Sequence, residues 1–359
     1  MKISKKTGKK TGNVGEWSEL YVLIKLLEEG KIYSAKEDLQ KNSDCYLPIL
    51  KVLRKENVGK IAYVPNLSKR KVELYLDEKL VKSISTDELA EIATTFYDAI
   101  VIGKGSFEIE NSEVVMADLY CEQIKAKSAS KADIEMEVHD PFTNFNQMCG
   151  FSIKSDLGSP PTLFNSSQAT NFKFEVFGLD EDDVYRINHI DGRGKIRKRV
   201  SQIPELRFIS VSNETFSKNL LFIDTQMENI LAEMLKIYYG ESISACADLA
   251  DIMDERDFLG FGVEKLYSHK LKKFLCAVAL GLTPTTAWSG IEEANGGYII
   301  VKEGGEVLAY HLHNRDSFEK YLLANTKFET PSTEKFHFGE IYIEGERKFI
   351  KLNLQVRFK

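Results

Sequence analysis

Residues 133–138 read DIEMEV and residues 149–155 read CGFSIKS. In the first stretch Asp133, Glu135 and Glu137 alternate with Ile134, Met136 and Val138, the period-two pattern of a half-buried strand. In the second, Ser152 and Lys154 fall on one side of an extended chain and Phe151 and Ile153 on the other. Pro141 and Asn144 mark a loop between them. The reading is a pair of neighbouring strands with Asp133 near the start of one and Lys154 near the end of the other. Register decides whether these two side chains meet. Asp133 shares a face with Lys154 only where facing residue numbers sum to an odd value, or where a bulge intervenes. An even register puts Lys154 beside Ile134 instead.

Outward from this pair the chain alternates helices and strands. Trp17, Leu20, Tyr21, Ile24 and Leu27 recur at steps of three and four, which predicts a helix over 16–29 ended by Gly30. YLPILKVL, GKIAYVPN and KVELYL, within 46–82, read as short strands. Thr86 and Asp87 are candidate caps for a helix through LAEIATTFYDAI. Val115, Leu119, Cys121 and Ile124 predict another helix over 112–125. Residues 156–171 read as a loop, and NFKFEVFG and LRFISVS as strands. Helices are expected near 224–239, 262–281 and 316–324, with strands at YIIVKE, EVLAYHL, FGEIYI and FIKLNLQVRF. The fold class expected is α/β (α+β) around a mixed sheet. Pro284, Gly290, Gly296 and Gly297 suggest a boundary, giving a core over 1–285 and a C-terminal α+β subdomain over 286–359.

Composition removes several classes. With 359 residues, 43% hydrophobic and 28% charged, the chain is neither collagenous nor wholly disordered. Five cysteines, at 45, 121, 149, 246 and 276, include no C-x-x-C pair. That argues against a zinc knuckle or disulfide framework and for a reducing, cytoplasmic setting. No run approaches the roughly 18 apolar residues of a membrane span, and the lysine-rich N-terminus lacks the apolar stretch of a secretory signal. Walker A, G-x-G-x-x-G and G-x-S-x-G patterns are absent from the sequence. His311, His313 and Asn314, in AYHLHNR, lack partners at metal-ligand spacing and read as surface or DNA-contact residues. The net charge of −6 advertises no global attraction to nucleic acid.

Asp133, eighteen intervening residues, then Ser152-Ile153-Lys154 resembles the PD-(D/E)XK nuclease signature. Longer blocks are similar to the HpaII-type restriction endonucleases. These are KKTGKKTGNVGEWSE at 5–19, GFSIKSDLGSPPTLFNSSQATNF at 150–172, and VLAYHLHNRDSFEKYLLANTKFETPS with FGEIYIEGERKFIKLNLQVRF at 307–358. The resemblance implies an α/β/α nuclease core and a type II endonuclease that cuts the palindrome CCGG in double-stranded DNA using Mg²⁺. The rival readings are a repair or recombination nuclease without sequence specificity, and a DNA-binding protein on a weakened nuclease fold. Within the resemblance, Asp133 and the backbone carbonyl of Ile153 are metal ligands. Lys154 orients or activates the attacking water or offsets developing charge. Ser152 stands where the family carries an acid and is a weak or indirect ligand. Nucleases of this fold place an acid on the first core helix. Glu16 and Glu19 share a helix face, and Glu16 is the preferred accessory acid and metal ligand.

DNA affinity comes mainly from Lys and Arg on phosphates. The densest basic block holds Arg193, Lys195, Arg197, Lys198 and Arg199; Lys5, Lys6, Lys9 and Lys10 form a second, and Lys69, Arg70 and Lys71 a third. Arg193 and Arg197 are candidate donors to guanine. The loop after the catalytic strand offers Ser155, Asn165, Ser166, Gln168 and Asn171. The expectation is that the 5–10 and 193–199 blocks lie on the same side as Asp133. A palindromic site is met most simply by a two-fold homodimer, and a restriction enzyme implies a companion cytosine methyltransferase that protects the host genome.

Overall fold

Asn13 opens the first helix. Its side chain accepts a hydrogen bond from the Glu16 N–H (3.0 Å), and the Glu16 carboxylate accepts one from the Asn13 N–H (2.8 Å). This reciprocal cap satisfies two backbone donors that a helix start leaves free. Helix α1 (Val14–Glu29) then buries Trp17, Leu20, Ile24 and Leu27 completely and stops at Gly30, whose φ of +61° suits a residue without a Cβ. Each such buried side chain contributes about 1.5–3 kcal/mol relative to exposure. The structure, a computed structural model, describes residues 9–125, 132–141, 144–158, 160–311 and 315–359.

Strands β1 (Lys31–Ala35), β2 (Lys41–Glu56), β3 (Gly59–Asn66), β4 (Lys71–Leu76) and β5 (Lys79–Ser85) follow, then α2 (Thr86–Ile102), α3 (Ser112–Asp118), β6 (Ile134–Asp140) and β7 (Phe145–Ser155). The middle of the chain forms β8 (Thr162–Phe164), β9 (Asn171–Phe177), α4 (Glu181–Asn188), α5 (Lys195–Val200), β10 (Glu205–Val211), α6 (Glu214–Ile223), α7 (Met227–Glu241), α8 (Cys246–Arg256) and α9 (Leu266–Leu280). The remainder forms β11 (Gly297–Val301), β12 (Val307–His311), α10 (Arg315–Asn325), β13 (Thr326–Phe328), α11 (Thr333–Phe336), β14 (Ile341–Glu344), β15 (Arg347–Asn353) and β16 (Val356–Phe358). The architecture is mixed α/β, as expected.

Two compact units share the chain. The first is Met1–Pro161 with Glu293–Phe318; the second is Thr162–Glu292 with Glu319–Lys359. A single boundary near 286 does not describe this division. β11 and β12 pair with β7 and β1 and so belong to the first sheet, while β15 and β16 pair with β9 and β8 in the second unit.

The first unit is built on a nine-stranded sheet in the order β1-β12-β11-β7-β6-β2-β3-β4-β5. The β1–β12 and β7–β11 pairs are parallel and the others antiparallel. Met136, Val138, Phe151, Ile299 and Val301 join the α1 residues and Phe96 of α2 in one core. On the opposite face the rings of Tyr298 and Tyr310 meet Phe318. Strand alternation thus gives β7 two environments, one beneath α1 and one turned the other way.

Two local expectations need correction. The helix at 112 ends at Asp118, because Tyr120 takes a left-handed φ of +57°. Leu119, Cys121 and Ile124 are nonetheless buried, so the apolar stripe packs without being helical. The cap of α2 is Ser85, which accepts from the Glu88 N–H at 3.0 Å. In the second unit β10-β9-β15-β14 form one antiparallel sheet and β13-β16-β8 another. Phe164, Phe172, Phe216 and Phe274 meet in its core.

Candidate active site

β6 and β7 are antiparallel, with Ile134 facing Phe151 and every facing pair summing to 285. That register is odd. It sets Asp133, just ahead of β6, opposite Ser152, and the Asp133 N–H donates to the Phe151 carbonyl (2.8 Å). One carboxylate oxygen of Asp133, Oδ2, accepts from the Ile153 N–H (2.8 Å) and the Ser152 hydroxyl (3.1 Å). Gly150 makes this approach feasible: a Cβ there would stand 2.8 Å from the Cβ of Ala132, the residue preceding Asp133.

Ser152 is 1% exposed and acts as a hydrogen-bond donor that orients the aspartate. A carboxylate in its place would face Asp133 as a like charge. The N–H and C=O of a strand residue point to the same edge. The Ile153 carbonyl is therefore directed to the Asp133 side, as its N–H is.

Of the two acids on the first helix, the structure places Glu19, rather than the preferred Glu16, beside Asp133. The Glu16 carboxylate is committed to the Asn13 cap. Glu19 lies one turn deeper, where the preceding residue is pinned to the sheet: the Ser18 hydroxyl donates to the Val14 carbonyl (2.7 Å) and bonds the Ser155 hydroxyl (2.9 Å). Glu19 and Asp133 line a crevice of about 20 Å³ with Leu53 and Arg54. That is room for one water-sized occupant.

Lys125 closes the pair. Its Nζ lies 3.0 Å from Glu19 Oε1 and 3.4 Å from Asp133 Oδ1. The other Glu19 oxygen, Oε2, is buried without a hydrogen-bond partner among the described residues. Burial, reinforced by repulsion from Asp133, pushes the Glu19 carboxyl up to about 7 against the pull of Lys125 and Lys154.

Lys154 lines a second cavity, about 420 Å³, together with Glu19, Ile153, Ser155 and Asn13. Glu19 therefore borders both cavities. Burial lowers the pKa of Lys154; the Asp133 and Glu19 carboxylates oppose that shift and Lys125 adds to it. Among the described residues no group of three or more His, Cys, Asp or Glu side chains is placed to hold a metal ion. Two carboxylates, one of them with an orphaned oxygen, and a backbone carbonyl fit a hard divalent cation that keeps most of its waters.

The basic candidates divide. Lys9 is exposed and paired with Glu108 (2.9 Å), Lys10 is partly exposed, and residues 1–8, with Lys5 and Lys6, lie outside the described residues. Arg70 pairs with Asp87, and Lys71 with Glu73 (2.6 Å). Arg193, just ahead of α5, and Lys198, within it, are exposed. Lys195 reaches Asp191 (3.3 Å), and the Arg197 guanidinium lies 4.6 Å from the ring centre of Tyr238. Arg193, Lys195, Arg197 and Tyr238 line a cavity of about 630 Å³ with Glu329 and Glu334.

Arg199 is buried. It donates to the carbonyls of Asn188 (2.6 Å), Gly339 (2.8 Å) and Ile190 (3.1 Å), so its donors are spent inside the unit. Asn171 is likewise buried, donating to the Phe336 carbonyl and accepting from Asn353. Neither is placed to touch DNA. Asn165 and Gln168 are exposed, whereas Ser155 is buried against Ser18. His311 ends β12; His313 and Asn314 lie outside the described residues.

The comparisons with known proteins agree with one another. The HpaII restriction endonuclease family matches residues 13–358. The type II restriction enzyme HpaII of Haemophilus parainfluenzae is 39% identical over 353 residues, covering 97% of this chain and 98% of that protein. No solved structure matches. Two carboxylates from separate elements, a lysine beside them and a family match along almost the whole chain lead to one conclusion: the chain belongs to the HpaII restriction endonuclease family, and it is a type II restriction enzyme, a site-specific endodeoxyribonuclease.

Proposed function

We propose that this endonuclease hydrolyses both strands of DNA at CCGG, using Mg²⁺ held by Asp133 and Glu19 with the Ile153 carbonyl, on a PD-(D/E)XK core formed by β6 and β7. The observation that carries the reading is the odd register of β6 and β7. It puts the Asp133 carboxylate against Ser152 and Ile153 and on the face of Lys154. When bound, the cation polarises the scissile phosphate and makes a bound water more acidic.

The protein's own groups have separable tasks. Ser152 and the Ile153 N–H fix the orientation of Asp133. Glu19 supplies a second carboxylate from α1. Lys154, whose proton is more easily lost than that of an exposed lysine, orients the attacking water or offsets the charge that develops on phosphate. In the second unit, Arg193 and Arg197 supply donors suited to guanine O6 and N7, and Glu334 supplies an acceptor suited to cytosine N4. Lys195 and Lys198 meet phosphates, and Lys9, Lys10, Asn165 and Gln168 add backbone or base contacts.

A homodimer matches the two-fold symmetry of a palindrome, and a separate cytosine methyltransferase protects the same site without a lasting complex. All five cysteines are free, which supports a reducing, cytoplasmic setting. No helix among the described residues is long and apolar enough to cross a membrane.

The test is digestion of plasmid DNA with Mg²⁺, with and without CpG methylation, by wild type, Asp133→Ala and Lys154→Ala. Discrete fragments ending at CCGG from wild type alone support the proposal. Fragments from another site overturn the assigned target. Cleavage by Asp133→Ala at the wild-type rate overturns the assigned metal site.

A further inference from the structure

Lys125 was not singled out by any motif, yet it occupies the centre of the site. Its ammonium group bridges one oxygen of Glu19 and one of Asp133, carboxylates that come from different elements and repel each other. Lys154 adds a second, more distant positive charge, yet the second Glu19 oxygen remains buried without a hydrogen-bond partner among the described residues.

The base of Lys125 is fixed in the core, whereas its side chain reaches solvent. Arg54, with a side chain 6% exposed, is paired with the buried Glu56 (2.5 Å). Its guanidinium donates to the carbonyls of Gln123 and Ile124, the two residues immediately before Lys125. Ile124 is buried in the core, and Glu122 accepts from the backbone and side chain of Asn57. A buried ion pair is a costly way to stabilise a fold; here it determines where Lys125 leaves the core. The Lys125 side chain itself is 51% exposed, so its ammonium has a path into solvent.

We infer that Lys125 is a placeholder cation: in the metal-free enzyme it holds Glu19 and Asp133 together, and a divalent ion must displace it to bind. This rests on the metal site proposed above. A divalent ion carries twice the charge of the ammonium and draws both carboxylates more strongly. Lys125 is thus a positioning residue that keeps the empty site assembled and weakens metal binding to the free enzyme.

The test uses full-length protein without DNA. Its melting temperature is followed against Ca²⁺ concentration from an EDTA-treated start, because an ion that binds the folded state raises stability in proportion to ln(1 + [L]/Kd). Lys125→Met is expected to melt below wild type in EDTA and to bind Ca²⁺ about two- to five-fold more tightly, the range expected for loss of a half-exposed charge contact. Lys125→Arg keeps the charge and is expected to bind as wild type does. Should the Met variant fail to fold, Lys125→Gln poses the same question. Unchanged or weaker Ca²⁺ binding by the neutral variants overturns the placeholder role. Glu19→Gln and Asp133→Asn separate the two levels of the argument. If both abolish the Ca²⁺ response while Lys125→Met does not sharpen it, only the placeholder falls. If neither alters the response, the metal site falls and Lys125 with it.

Discussion

Asp133 and Glu19 border the same crevice, but the elements carrying them place them by different means. The β6–β7 pair places Asp133 through register: once Ile134 faces Phe151, alternation fixes which side chains share its face. Helix α1 places Glu19 through tertiary packing, with Trp17 and Leu20 buried on either side of it and Ser18 bonded to Ser155. The strand side is therefore a local rule applied to residues 133–155. The helix side depends on which turn of α1 meets the sheet, and a shift of three residues exchanges an acid beside Asp133 for a capping one. Sites assembled from one regular pair and one docked helix are half readable in this sense.

The largest effect should come from the strand side. Asp133→Ala and Lys154→Ala are each expected to lower single-turnover cleavage by roughly 10²–10³-fold or more with the circular dichroism spectrum unchanged. Loss of less than ten-fold for both would show that register alone does not define the site.

The comparison sharpens on the helix. Glu19→Gln is expected to lower cleavage by roughly 10- to 100-fold, the range seen when support of a metal site is removed. Glu16→Ala should leave cleavage within about two-fold and lower stability by about 0.5–1 kcal/mol through loss of the cap. A reversal of these two results would restore Glu16 as the accessory acid.

Much of the strand side was legible in advance. IEMEV falls in β6 with Asp133 just ahead of it, CGFSIKS forms the end of β7, and their register meets the parity condition. For Glu16 the sequence carries a competing signal. Asn13 three residues ahead of Glu16 is the spacing of a reciprocal cap, which already assigned Glu16 another task. Lys125 had no such signal. It follows an irregular segment whose position is set by Arg54, 71 residues earlier in the chain, and no local pattern encodes that contact. Asn171 and Arg199 were misread for the opposite reason. A polar loop and a basic run look solvated in sequence, and only the fold reveals the carbonyls at 188, 190, 336 and 339 to which Arg199 and Asn171 donate.

Acid–base behaviour offers a third probe of the helix side. The Glu19 carboxyl titrates near 7 in the fold, above its ordinary value of 4.5. A raised carboxyl pKa contributes stability that is complete below the ordinary value and lost as pH rises through about 7. Without metal, Glu19→Gln should therefore gain stability relative to wild type between pH 5 and pH 8, by about 2–3 kcal/mol. Chemical denaturation in EDTA at the two pH values measures this difference. Glu16→Ala should show no comparable change.

The smallest effects are expected in the second unit, and they distinguish exposed from buried arginines. Arg193→Ala is expected to weaken DNA binding about ten-fold and lower the salt dependence by about one unit if it meets phosphate, or relax base preference if it meets guanine. Arg199→Ala should instead lower the melting temperature, because three carbonyls lose their donor, while DNA affinity of the folded fraction stays near wild type.

The central claim is that Glu19 and Asp133 together hold the catalytic cation. Anomalous diffraction from crystals of the enzyme equilibrated with Mn²⁺ tests it most directly. The account predicts a peak between these two carboxylates, within roughly 2–2.6 Å of oxygens from both, with Lys125 moved away from them. A peak bound by Glu16, or by Asp133 with Glu19 still paired to Lys125, would contradict it.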